Sequence, residues 1–154
     1  MAGELGFDTG PYVTAASFCE KVLQEKDGVI TLVRMIDQIN VQAQGPLVPN
    51  EMPPGNVQVT LAVMLKAGDA LGAQRLQVSL HNPDSSTVNG PENSINFSAG
   101  KNGGANVIMP MLIEVKSAGL YWADIRINDR LISRIPLQIN YGFTRVPIPV
   151  QGES

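Results

Sequence analysis

The stretch Gly119-Leu-Tyr-Trp-Ala-Asp-Ile-Arg-Ile-Asn-Asp-Arg-Leu-Ile-Ser-Arg-Ile-Pro-Leu-Gln-Ile139 reads as two strands of a β-hairpin. Tyr121, Ala123, Ile125 and Ile127 alternate with Trp122, Asp124 and Arg126, the period-2 pattern of a half-buried strand. Leu131, Ser133, Ile135, Leu137 and Ile139 repeat it on the return. A three-residue loop, Asn128-Asp129-Arg130, predicts Ile127 opposite Leu131, Ile125 opposite Ser133, Ala123 opposite Ile135 and Tyr121 opposite Leu137, all facing a core. A two-residue loop would instead put Arg134 opposite Ala123 on the buried face, where an unpaired charge is costly. On the other face the three-residue register sets Trp122 across from Pro136 and Asp124 across from Arg134, an opposed pair worth about 0.2–1 kcal/mol.

The rest of the chain agrees with a β protein. In 154 residues, 15 glycines and 11 prolines punctuate short apolar runs. Tyr12–Gln24 matches a capping box at Ser17–Glu20, yet Asp27-Gly28 follows, a hairpin signal between two apolar runs. A strand over 12–24 paired with a second strand over 29–42 is therefore predicted. The adjacent Met35 and Ile36 break the alternation there, which a bulge near Arg34–Ile36 would restore.

Residues 44–56, with Pro46, Pro49, Pro53 and Pro54, read as a long loop crossing between sheets. Val57 to Leu65 and Leu76 to Leu80 alternate cleanly. Asn82–Ser86 and Asn89–Asn93 read as turns, Ile95–Phe97 as a short strand, and Val107–Val115, interrupted by Pro110, as an edge strand or a bulged one. The expected fold is an all-β, antiparallel two-sheet sandwich of about eight strands over residues 12–142, with a flexible arm at 1–11 and an extended tail at 143–154.

Composition narrows the function. A formal charge of −3 with no Lys/Arg cluster among 11 basic residues speaks against nucleic acid as a partner. No apolar run approaches membrane-helix length and the first residues carry no secretory pattern, so a cytoplasmic protein is expected. Cys19 is the single cysteine, which suits a reducing compartment and excludes a cysteine-based zinc site.

His81 is the single histidine, set before Asn82-Pro83 with no nucleophile motif beside it, and reads as a strand-end residue rather than a general base. The segment Gly100–Gly104 lacks phosphate-loop order, and Asp69, Asp84, Glu92 and Asp129 stand one to a loop, unlike a calcium site. No metal or cofactor is expected, and no catalytic residue.

The segments Ala15–Arg34 and Gly119–Leu137 resemble an uncharacterised bacterial family of small cytoplasmic β-sandwich domains. Its members open with a strand, a Lys/Asp-Gly turn and a second strand, and close with Gly-x-Tyr and Ile-Pro-Leu strands. The resemblance implies the sandwich and brings no activity, ligand or catalytic residue. Gly119-Leu-Tyr121 is also similar to the Gly-x-Tyr of immunoglobulin-like domains, with Ala123 where such a domain often has a cysteine.

What remains is a surface. Leu120, Trp122, Ile132, Arg134 and Pro136 are expected to form an outward interaction face for a protein partner or a second copy. The expected function is non-enzymatic contact between proteins. The alternative is a small-ligand or carbohydrate site in loops 82–93 and 98–106, which offer no aromatic platform.

Overall fold

A computed structural model describes residues 9–50, 52–97 and 103–147. Among them are nine strands and no helix: β1 (Tyr12–Gln24), β2 (Ile30–Ile36), β3 (Gln38–Gly45), β4 (Gly55–Lys66), β5 (Gly72–His81), β6 (Thr87–Phe97), β7 (Gly104–Val115), β8 (Gly119–Ile127) and β9 (Arg130–Arg145). They form a four-stranded sheet ordered β2-β1-β4-β7 and a five-stranded sheet ordered β3-β9-β8-β5-β6. No helix among the described residues is long and apolar enough to cross a membrane. Residues 1–8 of the expected arm, 98–102 of the expected loop and 148–154 of the expected tail lie outside the described residues.

The two sheets share one core. Phe18, Val59, Leu61, Val63, Leu65 and Ile113 of the first meet Leu76, Val78, Tyr121, Ile125, Leu137 and Ile139 of the second. Each set sits on alternate positions of its strand, so one face of each sheet is apolar, as the alternation over 57–65 and 76–80 predicts. The proline-rich segment after Gly45 carries the chain from β3 to β4.

Several expectations change. The strands number nine rather than eight, and β3 pairs parallel with β9, Gln38 beside Gln138 through Gly45 beside Arg145, so the sheets are not wholly antiparallel. Residues 29–42 are not one bulged strand. The β1–β2 register runs from Phe18 opposite Ile36 to Gln24 opposite Ile30 without a shift, and the chain changes sheet at Asp37. The apolar doublet Met35-Ile36 marks that switch. Asp37 is tied into the second sheet at once, its carbonyl accepting from the Gln138 amide at 3.0 Å.

Asn89–Asn93 is strand, not turn: Gln77 pairs with Glu92 and Ser79 with Asn89, leaving Gly90 and Pro91 as a bulge opposite Val78. An edge strand tolerates a proline that donates no ladder bond, and β6 is an edge. For the same reason Pro110 sits in β7, the edge strand the sequence predicts.

The closing hairpin keeps the predicted register from Gly119 opposite Ile139 to Ile125 opposite Ser133, then departs from it. Its loop has two residues, Asn128 and Asp129, both with positive φ (50° and 67°), the twist of a type I′ turn. Ile127 pairs with Arg130, Arg126 with Leu131, and the extra residue Ile132 is absorbed in a bulge. The bulge reverses two side chains: Leu131, expected in the core, is 43% exposed, while Ile132, expected outside, packs against the core.

Candidate functional site

The outer face of the five-stranded sheet carries the expected interaction residues, over a polar network that the local pattern does not reveal. Asp124 lies on that face yet its side chain is only 3% exposed. Arg134, directly opposite on β9, donates from Nε to Oδ1 at 2.7 Å. His81 approaches from β5, its Nε2 2.7 Å from Oδ2. Arg126, two residues along β8, brings a guanidinium nitrogen to 3.7 Å of the same oxygen. A carboxylate only accepts, so Nε2 carries a proton toward Asp124, while Nδ1 lies 2.8 Å from the Thr87 hydroxyl. The paired strands explain the assembly: Thr87 stands opposite His81 on β6–β5, and Ser79, two residues before His81, stands opposite Asp124 on β5–β8.

Trp122 lies beside the network, between His81 on β5 and Pro136 on β9. The Arg134 guanidinium sits over its ring, 5.3 Å from the centroid. One arginine thus grips a buried carboxylate with Nε and covers an indole with its plane, the fixed geometry that guanidinium favours. Leu120, 39% exposed, and the exposed Pro136 extend the apolar surface beyond the ring.

Of the residues expected on this face, Leu120, Trp122, Arg134 and Pro136 are on it, and Ile132 is withdrawn by the bulge. His81, Thr87 and Arg126 were missed. Their outward parity was readable, but the adjacency of β5 and β8 that brings residues 43 apart together was not. Thr87, His81 and Asp124 stand in the order hydroxyl, imidazole, carboxylate, which is also the order of a nucleophilic relay. Thr87 also lines a cavity of about 320 Å³ with Asn82, Asp84 and Ser86, whereas His81 and Asp124 are not among its lining residues. Among the described residues no group of three His, Cys, Asp or Glu side chains is placed to hold a metal ion.

Tyr121 fixes the entry to β8. Its hydroxyl donates to the Ser117 carbonyl at 2.6 Å while its ring is buried in the core. Gly119, two residues earlier, has φ +144°, and a Cβ there would stand 2.9 Å from the Pro83 ring. The Gly-x-Tyr pattern is therefore a packing requirement of this corner.

A larger concave surface lies at the open side between edge strands β6 and β7. A slot of about 640 Å³ there is lined by Val88, Ile95, Val107, Met109 and Met111 among others. A smaller one of about 320 Å³ at the end of the sheets includes Asn82, Asp84, Lys116 and Tyr121. Residues 87–93 and 104–106 of the alternative ligand site are strand, not loop.

A family model matches residues 14–140. The chain belongs to a family of unknown function (DUF6941). The matched span runs from β1 into β9 and contains every residue of the Asp124 network. No curated protein sequence matches the chain.

Among solved structures, the chain is similar to a β-glucosidase from Listeria innocua in complex with glucose, at TM-score 0.48 and 10% identity over 86% of this chain and 17% of that one. It is also similar to the alkylpurine DNA glycosylase AlkC of Pseudomonas fluorescens bound to DNA containing an abasic site analog, at TM-score 0.41 and 9% identity over 81% of this chain and 30% of that one. The chain thus spans less than a third of either protein, and likenesses this distant carry no argument about its activity.

Proposed function

We propose that this chain is a non-enzymatic, immunoglobulin-like β-sandwich that works in the cytoplasm by binding another protein, or a second copy of itself, through the outer face of its five-stranded sheet. The observation that carries this reading is Trp122, held on that face under the Arg134 guanidinium and bordered by Leu120 and Pro136. Tryptophan and arginine are the residues enriched where interfaces concentrate their energy, and pre-ordering both lowers the entropy lost on binding. The Tyr121–Ser117 hydrogen bond, which resembles the tyrosine corner of immunoglobulin-like domains, supports the finer fold assignment. A buried free thiol at Cys19 supports a reducing compartment.

The test is Trp122→Ser. Its ring lies outside the core cluster, so the variant is expected to fold with the wild-type circular dichroism spectrum. Sedimentation equilibrium and affinity capture with quantitative mass spectrometry are then compared between the two proteins. Loss of self-association, or of a saturable partner, in a folded variant supports the reading. An unchanged oligomeric state with an unchanged set of captured proteins overturns it.

A further inference from the structure

The charge immediately around Asp124 is not balanced, and the imbalance identifies what would complement it. Two guanidinium groups, Arg126 and Arg134, surround Asp124, whose one carboxylate is already spent: Oδ1 on Arg134, Oδ2 on His81 and Arg126. Toward β3 the face is neutral, an amide ladder in which Asn140 donates to Asn40 at 3.0 Å and to Gln38 at 3.5 Å, with Gln138 alongside. Toward β6 it offers Ser79 hydrogen-bonded to Asn89, and Thr87 on His81. Farther along, Arg75 is paired with two acids, Glu92 and Asp129. The excess of positive charge is therefore confined to the cluster of Arg126 and Arg134 on Asp124. Arg134 is 49% exposed and Arg126 33%, leaving guanidinium N–H groups open to a partner.

Resting on the reading that this face is a protein interface, we infer that its partner is a protein segment presenting a carboxylate side chain next to an apolar one. The carboxylate binds the guanidinium N–H groups that Asp124 leaves unused, and the apolar side chain lies on Leu120, Trp122 and Pro136. Asp124 serves as a positioning residue. It fixes the two arginines before the partner arrives, so that little side-chain entropy is lost on contact. The bonds formed are charge-assisted and directional, which makes the site selective for acid over amide.

The experiment uses the full chain, labelled with nitrogen-15, and two end-capped hexapeptides: alternating glutamate and leucine, and its isosteric counterpart alternating glutamine and leucine. Amide, indole and arginine Nε–H resonances are followed on titration. The glutamate peptide is expected to shift Trp122, Arg126 and Arg134 and to bind at least about tenfold more tightly than the glutamine peptide, the loss expected for one charge-assisted hydrogen bond. Arg126→Gln, whose side chain stands at the margin of the network, is expected to fold normally and to bring the two peptides to within about threefold. Equal binding of both peptides at the Trp122 face overturns acid recognition and leaves the interface reading standing. Shifts confined to another surface overturn both, and no binding of the glutamate peptide overturns the inference.

Discussion

Replacing Asp124 with Asn tests whether the outer-face network is part of the structure or only lies on it. The substitution keeps the shape and one acceptor but removes the charge and turns an NH2 group toward donors. Two hydrogen bonds of 2.7 Å are at stake, to Arg134 and to His81. At about 1.5–3 kcal/mol for each bond to a charged group, their gross loss is roughly 3–6 kcal/mol. Arg134 and His81 are 49% and 30% exposed, so both can turn to water and recover about half of it.

The expected destabilisation is therefore about 2–3 kcal/mol, or a melting temperature lower by roughly 5–10 °C for a domain of this size. Urea unfolding followed by far-ultraviolet circular dichroism measures it. Fluorescence is a poorer probe, because the Trp122 signal also reports the position of Arg134. The midpoint should fall with an unchanged slope. A midpoint within about 0.5 kcal/mol of wild type refutes the reasoning, since that is the range of an ordinary surface substitution. A companion variant, His81→Phe with Asp124→Leu, Arg126→Met and Arg134→Met, removes the charges together. It is expected to lie within about 1 kcal/mol of wild type, because only a network broken in part leaves a buried charge stranded.

Three further outcomes follow from other parts of the molecule. Gly119→Ala should destabilise by about 2 kcal/mol or more in the same urea assay, since it combines a disfavoured φ of +144° with a contact of 2.9 Å against Pro83. At the bulge, Ile132→Asp should cost about 2–3 kcal/mol while the adjacent Leu131→Asp stays within about 0.5 kcal/mol; equal costs would show that the bulge is misplaced. Burial raises the Cys19 thiol above its ordinary value of 9.0, so the folded state keeps a proton that the unfolded chain releases. Stability from this residue is complete below pH 9.0 and declines as the pH rises above it, and Cys19→Ala should flatten that decline in unfolding curves taken from pH 8 to 10.5.

What was legible in the sequence depended on whether one strand or two had to be known. Alternation within 57–65, 76–80 and 121–127 placed the core residues correctly, because the two faces of a strand are set by the chain itself. Pairing Asp124 with Arg134 and Trp122 with Pro136 also needed only one hairpin, and it held. Counting parity past Ser133 failed because a bulge costs little locally, and whether Ile132 turns inward depends on space offered by the opposite sheet.

The break at Met35-Ile36 was visible, but a bulge and a change of sheet leave the same trace in the alternation. Only the pairing of Gln38 with Gln138 distinguishes them. Asn89-Gly90-Pro91 looked like a turn because those residue types favour turns, and it became a strand because an edge has no neighbour for proline to disappoint. The Asp124 network was the least legible. Its members come from three strands whose adjacency is a property of the whole fold.

The parallel pairing of β3 with β9 sets the order in which this molecule can be assembled. Its partners are 100 residues apart, Asn40 with Asn140, and β9 is made after all the other described strands. Until it arrives, β3 has been released from the first sheet at Asp37 with nothing beside it, an open edge. The first sheet and the β5–β6 hairpin can form as they emerge, but the second sheet closes only once β9 has been made. Long-range parallel closure of this kind is slow, so β3 stays unpaired on the nascent chain until β9 has been made.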